Sequence, residues 1–146
     1  MEPIAYDDHF DVGILEIDAE HRNLLNMINK LLDHEARRDF QFAVETVDGI
    51  REETIRHFAH EEMRMEKSGY WGYRGHHEEH RRLLAQFDTY MHRLKENAHT
   101  WHAGTLALFM VDWLLHHING ADRTFGQWYL KHGGDDGIKE PEPSAG

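Results

Sequence analysis

Apolar residues recur along this chain at alternating spacings of three and four in four long segments. That is the signature of helices that each bury one stripe and expose the rest. The first segment runs from about Ala19 to Arg37, with Ile17, His21, Leu24, Ile28 and Leu31 on its stripe and Asp18 placed to cap it. The second, Phe40 to Lys67 behind Asp39, aligns Ala43, Val47, Ile50, Thr54, His57 and Glu61. The third, Tyr73 to Asn97, aligns His76, His80, Leu83, Phe87, Tyr90 and Leu94. The fourth, Trp101 to Leu130 behind Thr100, aligns Leu106, Met110, Trp113 and His117, then Ala121, Phe125 and Trp128. Prolines occur only at Pro3, Pro141 and Pro143, so nothing between them breaks a helix. The connections are short, which forces neighbouring helices to run antiparallel. The pattern predicts an all-α, up-down-up-down four-helix bundle over residues 1–132. Residues 133–146 hold Gly, Asp, Glu and Pro with Ile138 as the one large apolar residue, and read as a disordered acidic tail.

Each stripe is interrupted by histidine, and the second also by a carboxylate. Burying an ionisable group is costly unless it is paired or bound to a metal. The interruptions are His21, His57, Glu61, His76, His80 and His117, with Asp122 close by, and they come from all four helices. In an antiparallel bundle they fall at one level: late in the second helix, early in the third, early in the first and past the middle of the fourth. His57 and Glu61, like His76 and His80, are four residues apart and face the same way. His117 and Asp122 are five apart, which turns Asp122 by about 140° on an ideal helix. Either Asp122 reaches in from the flank, or the helix carries a local π-type widening.

Composition sharpens this picture. The chain has 146 residues, no cysteine, a formal net charge of −11 and 14 histidines. Without cysteine there is no disulfide framework, zinc ribbon, iron–sulfur cluster or thiol nucleophile. The negative charge repels phosphate backbones, so nucleic acid and anionic membranes are not expected partners. No apolar run is long enough to span a bilayer, and Met1 to Phe10 lacks the basic start and apolar core of a signal peptide. The expected localisation is therefore cytoplasmic.

Imidazole with carboxylate suits iron, zinc, copper or manganese. Five histidines and two carboxylates are too many donors for one ion and fit two. If Glu61 and Asp122 both bridge, and an oxo or hydroxo ligand bridges as well, two six-coordinate ions keep a single vacancy, the size of a diatomic ligand. Di-iron oxygen-activating bundles use four carboxylates and two histidines. A site richer in nitrogen and lower in charge should bind dioxygen reversibly and stop short of cleaving it.

The stretches Val12-Gly13-Ile14 with Ile17-Asp18 and His21, His57-Phe58 with Glu61-Glu62 and Met65, Gly69-Tyr70 leading to His76 and His80, and Trp113-Leu114 with His117-Ile118 and Asp122 resemble bacterial hemerythrins from about Tyr6 to Leu130. The resemblance implies a four-helix bundle that binds O2 at a non-haem centre of two iron ions (Fe2+/Fe3+) joined by an oxo or hydroxo bridge. It implies that His76, His80 and His117 hold a saturated iron, that His21 and His57 hold the iron with the vacancy, and that Glu61 and Asp122 bridge. It also implies that Leu114 walls the O2 pocket with Trp113, Phe58 and Ile28 as neighbours. The chain departs from the family in having Tyr6 where a tryptophan is usual, and Trp71 where proline often follows Gly-Tyr. The expected role is oxygen carriage, storage or delivery without catalysis. An O2-, NO- or iron-responsive sensor and a di-iron detoxifying enzyme are the alternatives, and the sequence does not say which protein partners the chain has. The remaining histidines, and Glu62, Glu78 and Glu79, are expected on the surface, with His60 and His77 either there or bonded to the site.

Overall fold

The computed structural model describes residues 6, 10–36, 40–96 and 103–137, without the side chains of 34–36, 40, 103–106 and 136–137. Its long helices are α1 (Leu15–Ala36), α2 (Phe40–Ser68), α3 (Tyr73–Glu96) and α4 (Ala103–His117). A π-helical turn at Ile118–Asp122 continues α4 into α5 (Arg123–Lys131). His117, Asp122 and Arg123 all keep right-handed helical dihedrals, so α4, the wide turn and α5 form one unbroken rod. The fold is the expected all-α four-helix bundle, with no strand among the described residues.

Each helix packs on two neighbours: α1 on α2 and α4, and α3 on α2 and α4. Side-chain pairs show the antiparallel register. Along α2 and α3, Asp48 meets Lys95 at 3.0 Å, Arg51 meets Asp88 at 2.6 Å and Glu62 meets His80 at 3.2 Å, one number climbing as the other falls. Along α1 and α2, Glu20 meets His57 while Glu16 meets Arg64. The stripes form one apolar core, including Ile28, Leu31, Val47, Ile50, Phe87, Met110 and Phe125.

The α2–α3 turn explains the Gly69-Tyr70 pair. Gly69 takes φ 71° and its N–H donates to the Glu66 carbonyl, while the Tyr70 N–H reaches back to Met65. This is a glycine-terminated helix stop in which a side chain at Gly69 would be strained. Helix α1 begins four residues before the expected Ala19, and Asp18 is not its cap. Asp18 already lies in the helix, donating its N–H to the Ile14 carbonyl, and its carboxylate reaches back to the N–H groups of Val12 and Gly13 at 2.7 and 3.2 Å. It thereby clamps the preceding segment instead. That segment crosses α5 so closely that a Cβ on Gly126 would lie 2.4 Å from the Val12 carbonyl oxygen.

The described residues continue past 132. Gly134–Gly137 make a 3-10 turn in which Asp135 accepts hydrogen bonds from Tyr129 Oη at 2.7 Å and Arg64 Nε at 3.1 Å. The rest of the expected tail, 138–146, lies outside the described residues, as do the proposed caps Asp39 and Thr100 and the side chain of Leu106.

Candidate metal centre

All seven residues singled out in the sequence converge in the bundle interior. His21 comes from α1, His57 and Glu61 from α2, His76 and His80 from α3, His117 from the end of α4 and Asp122 from the end of the π turn. All are buried, with Glu61 and His21 at 0% exposure. The wide turn settles how Asp122 arrives. The Arg123 N–H bonds to the Ile118 carbonyl, five residues back, and the added residue brings Asp122 Oδ1 to 2.9 Å from His117 Nε2. Asn119 and Gly120 are exposed and poor helix formers, so the widening falls where the helix is weakest. The Thr124 hydroxyl donates to the Gly120 carbonyl at 3.0 Å. His117 faces inward and its neighbour His116 outward.

The donor atoms form two groups that share both carboxylates. One comprises His76, His80, His117, Glu61 and Asp122, the other His21, His57, Glu61 and Asp122. In the first, His117 Nε2 lies 3.1 Å from His76 Nε2, 3.0 Å from His80 Nε2 and 2.9 Å from Asp122 Oδ1, and His76 Nε2 lies 3.0 Å from the same oxygen. Glu61 stands off at 3.8 Å from His76 and 3.7 Å from His80. In the second, His57 Nε2 lies 2.8 Å from Glu61 Oε1, and His21 Nε2 lies 3.0 Å from Asp122 Oδ2.

His117 Nε2 has hydrogen-bond geometry toward His76 and His80, but the approaches of the imidazoles to the two carboxylates do not. His21 Nε2, His57 Nε2 and all four oxygens of Glu61 and Asp122 are buried without a hydrogen-bond partner. Orphaned lone pairs in such number would be costly in an ordinary core. Aimed at common points they are what a cation requires. Donors about 2.1 Å from one ion sit about 3.0 Å apart at right angles and about 3.4 Å apart in a tetrahedron. The tight edges of the three-histidine group match the right-angled, six-coordinate arrangement.

The electrostatics agree. Burial, then the Asp122 charge, pushes the Glu61 carboxyl well above its usual range. Burial would also raise Asp122, but His117 and the other imidazoles hold it well below. Burial opposes a proton on His117, yet Asp122 and Glu79 raise it well above the usual imidazole value. Protons on Glu61 and His117 thus stand where a cation would compensate the carboxylates. Burial lowers His21 and brings His80 down to about 3, keeping both rings neutral and able to bind metal.

Outside the donors, carboxylates fix the rings. Nδ1 of His57 bonds to Glu20 at 3.1 Å, Nδ1 of His80 to Glu62 at 3.2 Å and Nδ1 of His117 to Glu79 at 2.9 Å. Such partners set the tautomer and turn Nε2 inward. His60 bonds the second oxygen of Glu20 at 2.5 Å, and His77 bonds the second oxygen of Glu62. Glu62 and Glu79 are therefore not free surface charges as expected, although the Glu79 side chain keeps 37% exposure, and Glu20 was missed. The signal available was the rule that each metal-facing imidazole needs a partner for its other nitrogen, which points to carboxylates at the same level on adjacent helices. Of the histidines read as surface residues, His92 and His132 are exposed, while His9, His99, His102 and the side chain of His34 lie outside the description.

Leu114, Trp113, Phe58 and Ile28 are all buried in the core. The Phe58 ring stacks on His80 at 3.7 Å between centroids and meets Trp113 edge-on at 5.7 Å.

Comparison with known proteins bears on what this centre is. Residues 12–129 match the model of the hemerythrin HHE cation binding domain. The chain is 31% identical to a bacteriohemerythrin of Stenotrophomonas maltophilia, over 90% of this chain and 85% of that protein. It is 30% identical to a myohemerythrin of Riftia pachyptila, over 82% and 88%. A solved hemerythrin structure carrying a leucine-to-tyrosine substitution shares the fold with a TM-score of 0.79 at 23% identity, over 87% of this chain and 97% of that one.

Proposed function

This chain belongs to the hemerythrin family, and from that premise we propose that it binds dioxygen reversibly at a pair of iron ions, as a carrier or store and not as an enzyme. The observation that carries the proposal is the pair of donor groups sharing Glu61 and Asp122, with buried lone pairs that no hydrogen bond satisfies. His76, His80 and His117 would hold one ion, His21 and His57 the other, and the two carboxylates would bridge. Iron there would supply the electrons that reversible O2 binding exchanges, with an oxo or hydroxo ligand completing the bridge.

The chain's own residues prepare the site in three ways. Glu20, Glu62 and Glu79 hold a proton on Nδ1 of His57, His80 and His117, leaving each Nε2 lone pair free toward the interior. The uneven supply of imidazole, three against two, leaves the His21–His57 side short of a donor and open to an added ligand. Leu114, Trp113, Phe58 and Ile28 belong to the apolar core, with Phe58 and Trp113 against the donor rings, and such a wall would keep out the water and protons that turn reversible binding into irreversible oxidation. No helix among the described residues is long and apolar enough to cross a membrane.

The test is metal content together with the visible spectrum, reduced under nitrogen, opened to air and returned to nitrogen. Two irons per chain, with a colour that appears in air and disappears on removing oxygen, is the expected result. Iron that oxidises at once with no reversible coloured adduct would overturn reversible binding and favour a sensor or a detoxifying enzyme. One metal per chain, or zinc alone, would overturn the seven-donor reading.

A further inference from the structure

The seven donors are buried, so an ion that reaches them needs a way in. On the α1–α2 side the donors are covered. His21 and His57 are buried, and the second nitrogen of His57 is covered by Glu20, itself bonded to His60. On the other side the wall is thin. A crevice of about 360 Å³ lies between the α2–α3 turn and the start of the rod's last segment, and its lining includes Trp71, Gly72, Gly75, His76, Glu79 and Thr124. It therefore runs from solvent to a residue of the three-histidine group.

The walls suit a passage. A Cβ on Gly75 would meet nothing within 4 Å, so the space above it is open. Trp71 is 75% exposed and stands at the rim without closing it. The Glu79 side chain is 37% exposed, and its carboxylate accepts a hydrogen bond from His117 Nδ1. A hydrated dication attracted to that carboxylate would meet His76 next, one turn earlier on α3.

We propose that this crevice is the passage by which a divalent metal ion enters and leaves the buried centre, with Glu79 at its mouth and His76 the first donor inside. The proposal rests on the metal-binding reading of the seven residues and adds a route to it. A local unfolding of the helices is the competing route, and its rate would follow stability in place of crevice width.

The experiment measures, under nitrogen, the rate at which the iron-loaded protein yields Fe2+ to a strong chelator, and the rate at which the metal-free protein takes up Co2+. Gly75→Leu and Thr124→Trp fill the crevice from opposite walls, and Trp71→Ala lowers its rim. Thr124 is exposed, so its variant keeps the test alive if the Gly75 variant does not fold. Both filling variants are expected to slow release and uptake at least about tenfold with the final metal content unchanged, and Trp71→Ala to speed both. Unchanged rates in the filling variants would overturn the passage, as would rates that track the denaturation midpoint of each variant regardless of crevice size. Slowing confined to Glu16→Gln would also overturn it, moving the entrance to the Glu16–Glu20–His60 group between α1 and α2. A wild-type chain that takes up no ion would instead overturn the metal-binding reading itself, a failure visible before any variant is made.

Discussion

The two halves of the centre are built differently from the same residue types. In the three-histidine half the rings of His76, His80 and His117 meet at centroid distances of 4.4, 4.7 and 4.9 Å. Two of them are anchored from outside by Glu62 and Glu79, and Phe58 lies flat on His80. In the two-histidine half His21 and His57 meet edge-on at 4.6 Å, only His57 has a carboxylate behind it, and His21 Nδ1 is buried without a partner. One half is over-determined and the other is short of a donor. On the proposed reading, a site that must hold its metal firmly and still admit a small ligand needs both properties, and they would fall to the two donor groups that share Glu61 and Asp122.

The largest effect should come from erasing the difference between the halves. Asp122 offers one oxygen to His21 and the other to His76 and His117. Asp122→Ala is expected to cost both ions, read as metal per chain after dialysis. Retention of one full equivalent would mean that Asp122 serves a single half. Next, His57→Ala should leave a one-ion protein, because its half falls to a single imidazole, whereas His80→Ala leaves two and should keep its ion with weakened affinity. Equal losses in the two variants would abolish the distinction.

The pattern of the sequence carries the inner surface of this centre well, and its outer supports poorly. The stripes were legible because helical spacing repeats, and a histidine on a stripe stands out against Leu and Ile. Asp122 was legible only to within two alternatives, since a five-residue spacing is compatible with a flank approach as well as a π turn. Glu20, Glu62 and Glu79 lie off the stripes among 27 acidic residues, so no periodicity marks them. Asp18 misled for a related reason. An aspartate ahead of an apolar run reads as a cap, but here it clamps Val12 and Gly13 from within the helix.

Acid tests the burial of the histidines without any substitution. His80 is held down to about 3 by burial, and His21 is lowered for the same cause. In the unfolded chain such rings take up protons near pH 6.5, while in the folded metal-free chain they stay neutral. At these two rings the unfolded state therefore gains protons first, and their contribution to stability falls as pH drops from about 6.5 toward 3, by on the order of 4 kcal/mol for His80, while the proton held on Glu61 in the fold acts in the opposite direction. Denaturation midpoints of the metal-free protein at pH 7 and pH 5 would show it. The same pair of measurements on Glu61→Gln removes the opposing carboxyl, and a flat profile in that variant would mean that the His80 ring is more open to water than its burial implies. The carboxylates behind the rings come next in size. Glu20→Gln and Glu62→Gln keep shape but weaken the hold on Nδ1, and each is expected to cost roughly 10- to 100-fold in metal affinity. Glu20→Gln should act on the two-histidine half and Glu62→Gln on the three-histidine half.

The smallest effect is expected at the outermost layer. His60 and His77 each bond the far oxygen of a supporting carboxylate, and their side chains are 34% and 44% exposed. Pairs this open to water contribute about 0–1 kcal/mol. His60→Gln and His77→Gln should therefore shift metal affinity by no more than about fivefold, well below the effect of Glu20→Gln or Glu62→Gln. The comparison between the two variants is the sharper measurement. Glu62 sits behind a ring that Phe58 already holds by stacking, so losing His77 should be nearly silent. Glu20 supports His57 in the half with fewer donors, so losing His60 should cost more. If His77→Gln proved the more damaging, the three-histidine half would owe its hold to the outer carboxylate layer and not to its number of imidazoles.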